Sequence, residues 1–204
     1  LSRFYEVAAN RFGWAPARMS SGGRGEVIVT VQQEIELGWL TVAFSRTGVV
    51  AIVLTDDSDA GRKDIAARFG HGLIVDGGED FARFMEAVVA AIHEPSLAEE
   101  LPLDIRGTAF EERGWAALRK IPVGSTATYS EVAEMIGSPT AHRAVARACG
   151  ANPIAIAIPC HRVVRADGSL AGYRWGIARK AALLSAEAGA HAAQVATQAA
   201  ACRQ

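Results

Sequence analysis

From Val27 onward, apolar and polar residues alternate with a period of two, and Val27, Val29 and Val31 fall on one face of an extended segment. Two further β-rich runs, at 40–44 and 49–54, are separated by Ser45-Arg46-Thr47-Gly48, the signature of a hairpin. The period then changes. Residues 59–69 carry helical spacing, and Phe81, Phe84, Met85, Val88, Val89 and Ile92 repeat at i, i+3 and i+4. The pattern predicts a small α+β domain over 26–100, entered through a Gly/Ser-rich linker at 20–25. Nothing in this half suggests chemistry. His71 and His93 have no Cys or His at ligand spacing and read as exposed or capping residues.

A second domain is expected over 101–187, opening at Leu101-Pro102-Leu103. Thr108 and Glu111 form a capping box ahead of a helix that carries Phe110, Trp115 and Leu118 and stops before Pro122. Gly114 inside that helix costs about 1 kcal/mol relative to Ala. Thr128 and Glu131 cap a second helix, which Gly137 ends. Ser138-Pro139 restarts a third helix, with Ser as N-cap and Pro at the first position, and Gly150 closes it. Two short helices about a Gly-containing turn, the second bearing Arg143 and Arg147, match a helix-turn-helix, although helical hairpins also occur without any DNA role. Ala141, Ala144, Ala146 and Ala148 leave little bulk on the second helix. They suit either a close approach to a partner or tight packing on the first helix.

Composition narrows the possibilities. The chain has 204 residues, half of them hydrophobic and about a fifth charged, which suits one large or two small globular domains. No apolar run nears the roughly 20 residues that span a bilayer, and no charged-then-apolar leader opens the chain, so no membrane partner and a cytoplasmic location are expected. The net charge of −1 weighs against nucleic acid. Its distribution weighs the other way. Between Pro139 and Ala181 stand Arg143, Arg147, Arg162, Arg165, Arg174, Arg179 and Lys180 against Asp167 alone. Such a stretch is either a surface for phosphates or a solvated face. The three cysteines, Cys149, Cys160 and Cys202, make neither a disulfide framework nor a zinc motif, and no metal or cofactor is expected.

After Asn152-Pro153, the run Ile154-Ala155-Ile156-Ala157-Ile158 reads as a short buried strand leading into Pro159-Cys160-His161-Arg162-Val163. A free cysteine is most often an inert buried hydrophobe. Here Pro159 ends the strand and puts Cys160 at its terminus, while His161 and Arg162 are basic neighbours that favour a thiolate. A helix from about Ile177 is expected to bury Ile177, Ala181, Leu183 and Leu184, with Glu187 on the edge of that stripe. Glu187 either points to water from a frayed end or orients His161, which then takes the thiol proton directly or through water.

Pro159-Cys160-His161-Arg162-Val163 resembles the signature of the O6-alkylguanine-DNA alkyltransferases. Tyr129-Ser130, Arg143-Ala144-Val145, Asn152-Pro153, Gly172-Tyr173-Arg174-Trp175-Gly176 and the stretch from Lys180 to Glu187 agree in order and spacing. The likeness runs from about Gly25 to Glu187. It extends, through Leu103-Asp104-Ile105-Arg106-Gly107-Thr108-Ala109-Phe110, to the C-terminal half of bacterial adaptive-response (Ada-type) regulators. Residues 1–19 resemble the closing helix of an AraC-type helix-turn-helix, which implies a fragment of such a regulator.

The resemblance implies an α/β protein: a ribonuclease H-like α+β domain, then a mostly helical, winged helix-turn-helix-like alkyltransferase domain. It implies irreversible, stoichiometric transfer of an alkyl group from O6-alkylguanine in double-stranded DNA to Cys160. His161 would act as base through a water and Glu187 would polarise it. Asn152 would fix the backbone, and Tyr129 would give a proton to guanine N3. Arg143 would fill the gap left by a base flipped from the minor-groove side. Ser130, Arg162, the backbone around Val163, Tyr173 and Arg174 would contact DNA or the guanine edge. Arg174 stands where some relatives carry Ser. The Ala-rich tail at 188–204, outside the likeness, is expected to be disordered, and a monomer is the default. A cysteine hydrolase using Cys160, His161 and Glu187 is the competing enzyme. It is disfavoured because its Cys and His would be adjacent in sequence, unlike protease pairs. A lesion-binding protein without transfer is disfavoured by the presence of Cys160. A regulator whose repair half has decayed is disfavoured by the intact set of site residues.

Overall fold

The computed structural model describes residues 26–201; the AraC-like stretch at 1–19, the linker at 20–25 and Cys202 lie outside the described residues. The described chain divides into two compact units. One comprises residues up to 88 together with 101–106, and the other comprises 89–100 and everything from 107. The boundary therefore differs from the one expected at 100/101. Residues 101–106 turn back onto the first unit, where Leu103 bridges to Val49, whose N–H donates to Pro102 C=O and whose C=O accepts from Asp104 N–H.

The first unit is a mixed four-stranded sheet. Strands β1 (Val27–Ile35), β2 (Gly38–Phe44) and β3 (Val49–Thr55) form an antiparallel meander. After helix α1 (Ser58–Phe69), strand β4 (Leu73–Asp76) joins the far side of β1 in parallel, giving the order β3-β2-β1-β4. The hairpin expected at Ser45–Gly48 is present, closed by the Ser45 N–H to Gly48 C=O bond at 2.8 Å. Asp57 caps α1 through Ala60 N–H. Gly61 lets α1 lie close against the sheet, since a Cβ there would sit 2.1 Å from Thr41 Oγ1. Helix α2 (Ala82–His93) follows a 3-10 turn at Gly78–Phe81. Phe44, Phe81 and Phe84 cluster with ring centroids 5.5–5.8 Å apart and fill the core. His71 and His93 are exposed.

The second unit is helical. α3 (Ala109–Leu118) and α4 (Tyr129–Met135) both begin with the expected capping boxes. Gly137, at φ +68°, ends α4 in a Schellman arrangement, with Ser138 N–H bonded to Ala133 C=O. α5 (His142–Ala151) starts three residues later than expected. Ser138–Ala141 forms a turn instead, closed by Ala141 N–H on Ser138 C=O, and no side chain caps the helix. Gly150 lies within α5, which ends at Asn152. Trp115 ties α3 to α5 through its Nε1–H on Ala148 C=O at 2.8 Å. Gly114 sits against Ala148, where even a methyl group would be in van der Waals contact. The small residues thus serve helix packing here.

Two further expectations are corrected. Residues 154–158 are fully buried, yet they form a tight turn and not a strand, with Ile156 at φ +70°. Alternating Ile and Ala packed on every side carry no one-face signal, so periodicity cannot distinguish such a turn from a strand. The last helix, α6, runs from Ile177 to Ala201 and so continues through most of the stretch expected to be disordered. Alanine has the highest helix propensity, which favours continuation.

Candidate active site

The site is assembled by a short parallel pairing. β5 (Ala127–Thr128) lies beside β6 (Val163–Val164), in register Ala127 to Val163. This sets Tyr129, the first residue of α4, next to the segment that follows Cys160. Cys160 itself opens a 3-10 turn, Cys160–Arg162, after the buried turn at 154–158. It is 4% exposed.

Asn152 is fully buried at the C-terminus of α5 and is spent entirely on this segment. Its Nδ2 donates to Ile158 C=O at 2.8 Å and to Cys160 Sγ at 3.1 Å, while its Oδ1 accepts from Ile154 N–H at 2.9 Å. One side chain therefore fixes both ends of the turn and points a donor at the sulfur.

Behind the sulfur is a buried charge network. His161 Nε2 lies 2.8 Å from Glu187 Oε1. Arg162 grips the same carboxylate through Nε (2.9 Å to Oε2, 3.1 Å to Oε1) and Nη2 (2.8 Å to Oε1), and its Nη1 donates to Ile121 C=O at 2.6 Å. Burial alone would raise the Glu187 carboxyl, but the bonds from His161 and Arg162 outweigh it and hold the group down at about 2. Glu187 is thus a buried anion, 3% exposed, and the frayed-end alternative is excluded. The buried face of α6 is Lys180, Leu183 and Glu187, spaced i, i+3 and i+7. Ile177, expected inside, is 53% exposed, and Ala181 is exposed as well.

A carboxylate at Nε2 fixes the tautomer. Glu187 can only accept, so Nε2 carries the hydrogen and Nδ1 is left bare. Nδ1 is buried and has no partner among the described residues. Burial pushes His161 below its ordinary pKa despite the opposing pull of Glu187, so the ring is neutral. Burial also pushes the Cys160 thiol up to about 11, against the lowering effects of Asn152 and Lys180.

The expectation that His161 and Arg162 lower the thiol by proximity is therefore corrected. Both turn away toward Glu187, and desolvation dominates. Arg162, expected at DNA, is instead an internal clamp with its donors committed. Val163, expected to read the guanine edge, has both backbone groups engaged. Its N–H donates to Cys160 C=O and its C=O accepts from Lys180 Nζ. Lys180 is fully buried on that carbonyl and so is no part of the expected basic surface.

A cavity of about 230 Å³ opens onto the sulfur, lined by Tyr129, Cys149, Cys160, Tyr173 and Arg174 among others. Burial, and then the neighbouring cysteines, raise the Tyr129 phenol, so it is a neutral donor. Arg174 reaches Gly150 C=O at 3.4 Å. Arg143 and Ser130 are exposed on α5 and α4, outside this cavity's lining. Of the seven basic residues counted between 139 and 181, Arg143, Arg147, Arg165 and Arg174 are exposed. Among the described residues, no helix is long and apolar enough to cross a membrane.

Residues 109–189 match the model of the 6-O-methylguanine DNA methyltransferase, DNA binding domain, family. The chain is 42% identical over 187 residues to the bifunctional transcriptional activator/DNA repair enzyme Ada of Escherichia coli, covering 92% of this chain and 53% of that protein. It is 56% identical over 88 residues to a methylated-DNA–protein-cysteine methyltransferase of Mycobacterium tuberculosis, covering 43% and 53%. The chain thus spans about half the length of the curated relatives it matches. Among solved structures, it resembles Mycobacterium tuberculosis OGT in complex with DNA (TM-score 0.64, 36% identity, 80% of this chain and 94% of that one). It also resembles the O6-methylguanine-DNA methyltransferase of Pyrococcus kodakaraensis (TM-score 0.63, 25% identity, 78% and 98%).

Proposed function

The chain belongs to the O6-methylguanine-DNA methyltransferase family, and from that premise we propose that it repairs DNA by moving an alkyl group from O6 of guanine onto Cys160, once per molecule. The observation that carries this reading is the bare, buried Nδ1 of His161, whose Nε2 is tied to Glu187, beside a cysteine whose sulfur accepts from Asn152.

A thiol held near 11 is almost wholly protonated at neutral pH, so it needs a base at the moment of reaction. His161 Nδ1 takes the proton, through a bridging water. The Glu187 carboxylate, locked in its ionised form by Arg162, stabilises the imidazolium that results. The thiolate is held by the Asn152 amide. Its lone pair forms the S–C bond as the C–O6 bond breaks, and the electron pair leaves on guanine. Tyr129, a neutral donor, protonates the leaving base at N3. The proton lost by sulfur rests on His161 and the proton gained by guanine comes from Tyr129; the balance closes when the tyrosinate regains a proton from solvent and the imidazolium gives one up. A thioether is stable to water, so the protein is consumed.

O6 lies inside the base stack, so the nucleotide must be extruded at a cost of a few kcal/mol. The 230 Å³ cavity is the place for the flipped base, and the exposed Arg143 on α5 is the side chain that fills the gap. The relative solved with DNA supports DNA as the partner, and we take it to be double-stranded. The match to a combined activator and repair protein supports the view that these residues correspond to the repair part of such a regulator. The test is duplex DNA carrying labelled O6-methylguanine, mixed with the protein and with Cys160→Ser. One label per protein on Cys160, plain guanine restored and no turnover are expected. Lesion binding without label on the wild type would overturn the transfer.

A further inference from the structure

We propose that Tyr173 is a positioning residue of the transfer: its buried hydroxyl holds, together with His161 Nδ1, the single water that links the Cys160 thiol to its base. The proposal rests on the reading of Cys160 and His161 given above and adds to it a residue that the relay would otherwise lack.

Three buried polar atoms in this neighbourhood have no partner among the described residues: His161 Nδ1, Tyr173 Oη and Trp175 Nε1. They belong to rings packed in series. His161 and Tyr173 meet edge to face at 6.4 Å between centroids, and Tyr173 and Trp175 at 5.1 Å. Tyr173 and Cys160 line the same cavity. Buried polar groups without protein partners are as a rule satisfied by ordered water, and a buried water makes about three hydrogen bonds. The donors and acceptors match. Nδ1 can only accept. The Trp175 N–H can only donate, so it cannot take the Tyr173 proton. The Tyr173 phenol is raised well above its usual range, by burial first and the Cys160 charge second, and it stays a donor. One water can therefore accept from Tyr173 Oη–H and from Cys160 Sγ–H while donating to Nδ1.

In the step itself the S–H bond breaks, its proton passes to the water oxygen, and the water gives one of its own protons to Nδ1. The electron pair stays on sulfur and the water is unchanged. Tyr173 loses nothing. Its hydrogen bond fixes the water's orientation and makes that water a better proton donor. The charged and titratable groups that act on Cys160, His161 or Tyr173 include Glu187, Arg162, Lys180, Arg179, Cys149 and Tyr129, and removing one phenolic oxygen alters none of them.

The experiment uses the full chain with Tyr173→Phe. Single-turnover transfer from labelled O6-methylguanine duplex is followed from pH 6 to 10, together with affinity for that duplex. Iodoacetamide labelling of Cys160 is followed from pH 7 to 12 without DNA, and a thermal melt checks folding. The expected result is a transfer rate about tenfold lower at neutral pH, recovering as pH rises, with duplex affinity within about twofold. The iodoacetamide midpoint should move to higher pH. Unchanged rate and midpoint would overturn the proposal. So would slower transfer with weaker duplex binding and an unmoved midpoint, which would make Tyr173 a wall of the base pocket. Failure of the underlying transfer reading would show separately, as absence of label on the wild type, while the iodoacetamide arm still decides the role of Tyr173.

Discussion

Replacing Glu187 by Gln keeps the shape of the side chain and removes its charge. In the folded protein this carboxylate accepts three contacts from Arg162, at 2.8, 2.9 and 3.1 Å, and one from His161 at 2.8 Å. The amide can accept on one atom only, and its NH₂ would face guanidinium donors. The substitution thus leaves a buried arginine without its counter-charge. Breaking one side of such a pair costs about 3–5 kcal/mol. For a chain of this length, each kcal/mol moves Tm by about 2–4 °C, so a fall on the order of 10 °C is expected. The pH dependence supplies a second check. Glu187 is held at about 2, against an ordinary value of 4.5. A lowered carboxyl stabilises the fold fully above its unfolded pKa, and this is lost as pH falls toward the folded one. The gap between wild type and E187Q should therefore be widest above pH 5 and shrink toward pH 2. Urea unfolding at pH 7 and pH 3 measures it. Equal stability at pH 7, or a gap that stays constant with acid, would refute the account of this network.

Three other outcomes are expected. Asn152→Ala strips the sulfur of its donor, takes one of two donors from Ile158 C=O and leaves Ile154 N–H unpaired, at about 1–3 kcal/mol for the unsatisfied group; urea unfolding should show the loss, and single-turnover transfer should slow. Without DNA, Cys160 should label slowly with iodoacetamide at pH 7 and accelerate with a midpoint well above that of free cysteine, since its thiol is pushed up to about 11; a midpoint at or below pH 8 would contradict the burial argument. Arg143→Ala, at an exposed position, should leave Tm nearly unchanged (within about 0.5 kcal/mol in stability) and lower repair of duplex lesions, as read by label transfer.

Much of the fold was legible because local chemistry and tertiary packing agree. The alternation around Val27–Val31, the Ser45–Gly48 turn, both capping boxes and Gly137 each state their structure within a few residues. Cys160, His161 and Glu187 were legible through a compact motif and one carboxylate on an apolar stripe. What escaped reading depends on partners distant in sequence. Arg162 looks like a surface base until its counter-ion, 25 residues away, is placed beside it. Lys180 looks the same until Val163 C=O is found at its tip. The turn at 154–158 is set by Asn152 bonding to both of its ends, which no periodicity records. β4 pairs in parallel with a strand about 45 residues earlier, and its four residues carry too short a pattern to announce it.

The position of Asn152 has a consequence for anyone who would re-engineer α5, the helix proposed to meet DNA. The C-cap of α5 is also the clamp on the sulfur, so the helix and Cys160 share one mechanical joint. Inserting or deleting a single residue within α5 would turn Asn152 by about 100° around the helix axis and swing its amide away from Cys160. A grafted helix of altered sequence preference should keep the chemistry only if its length is conserved to the residue. Point substitutions on the exposed face of α5 are free of that restriction, so the surface can be rewritten while the spacing cannot.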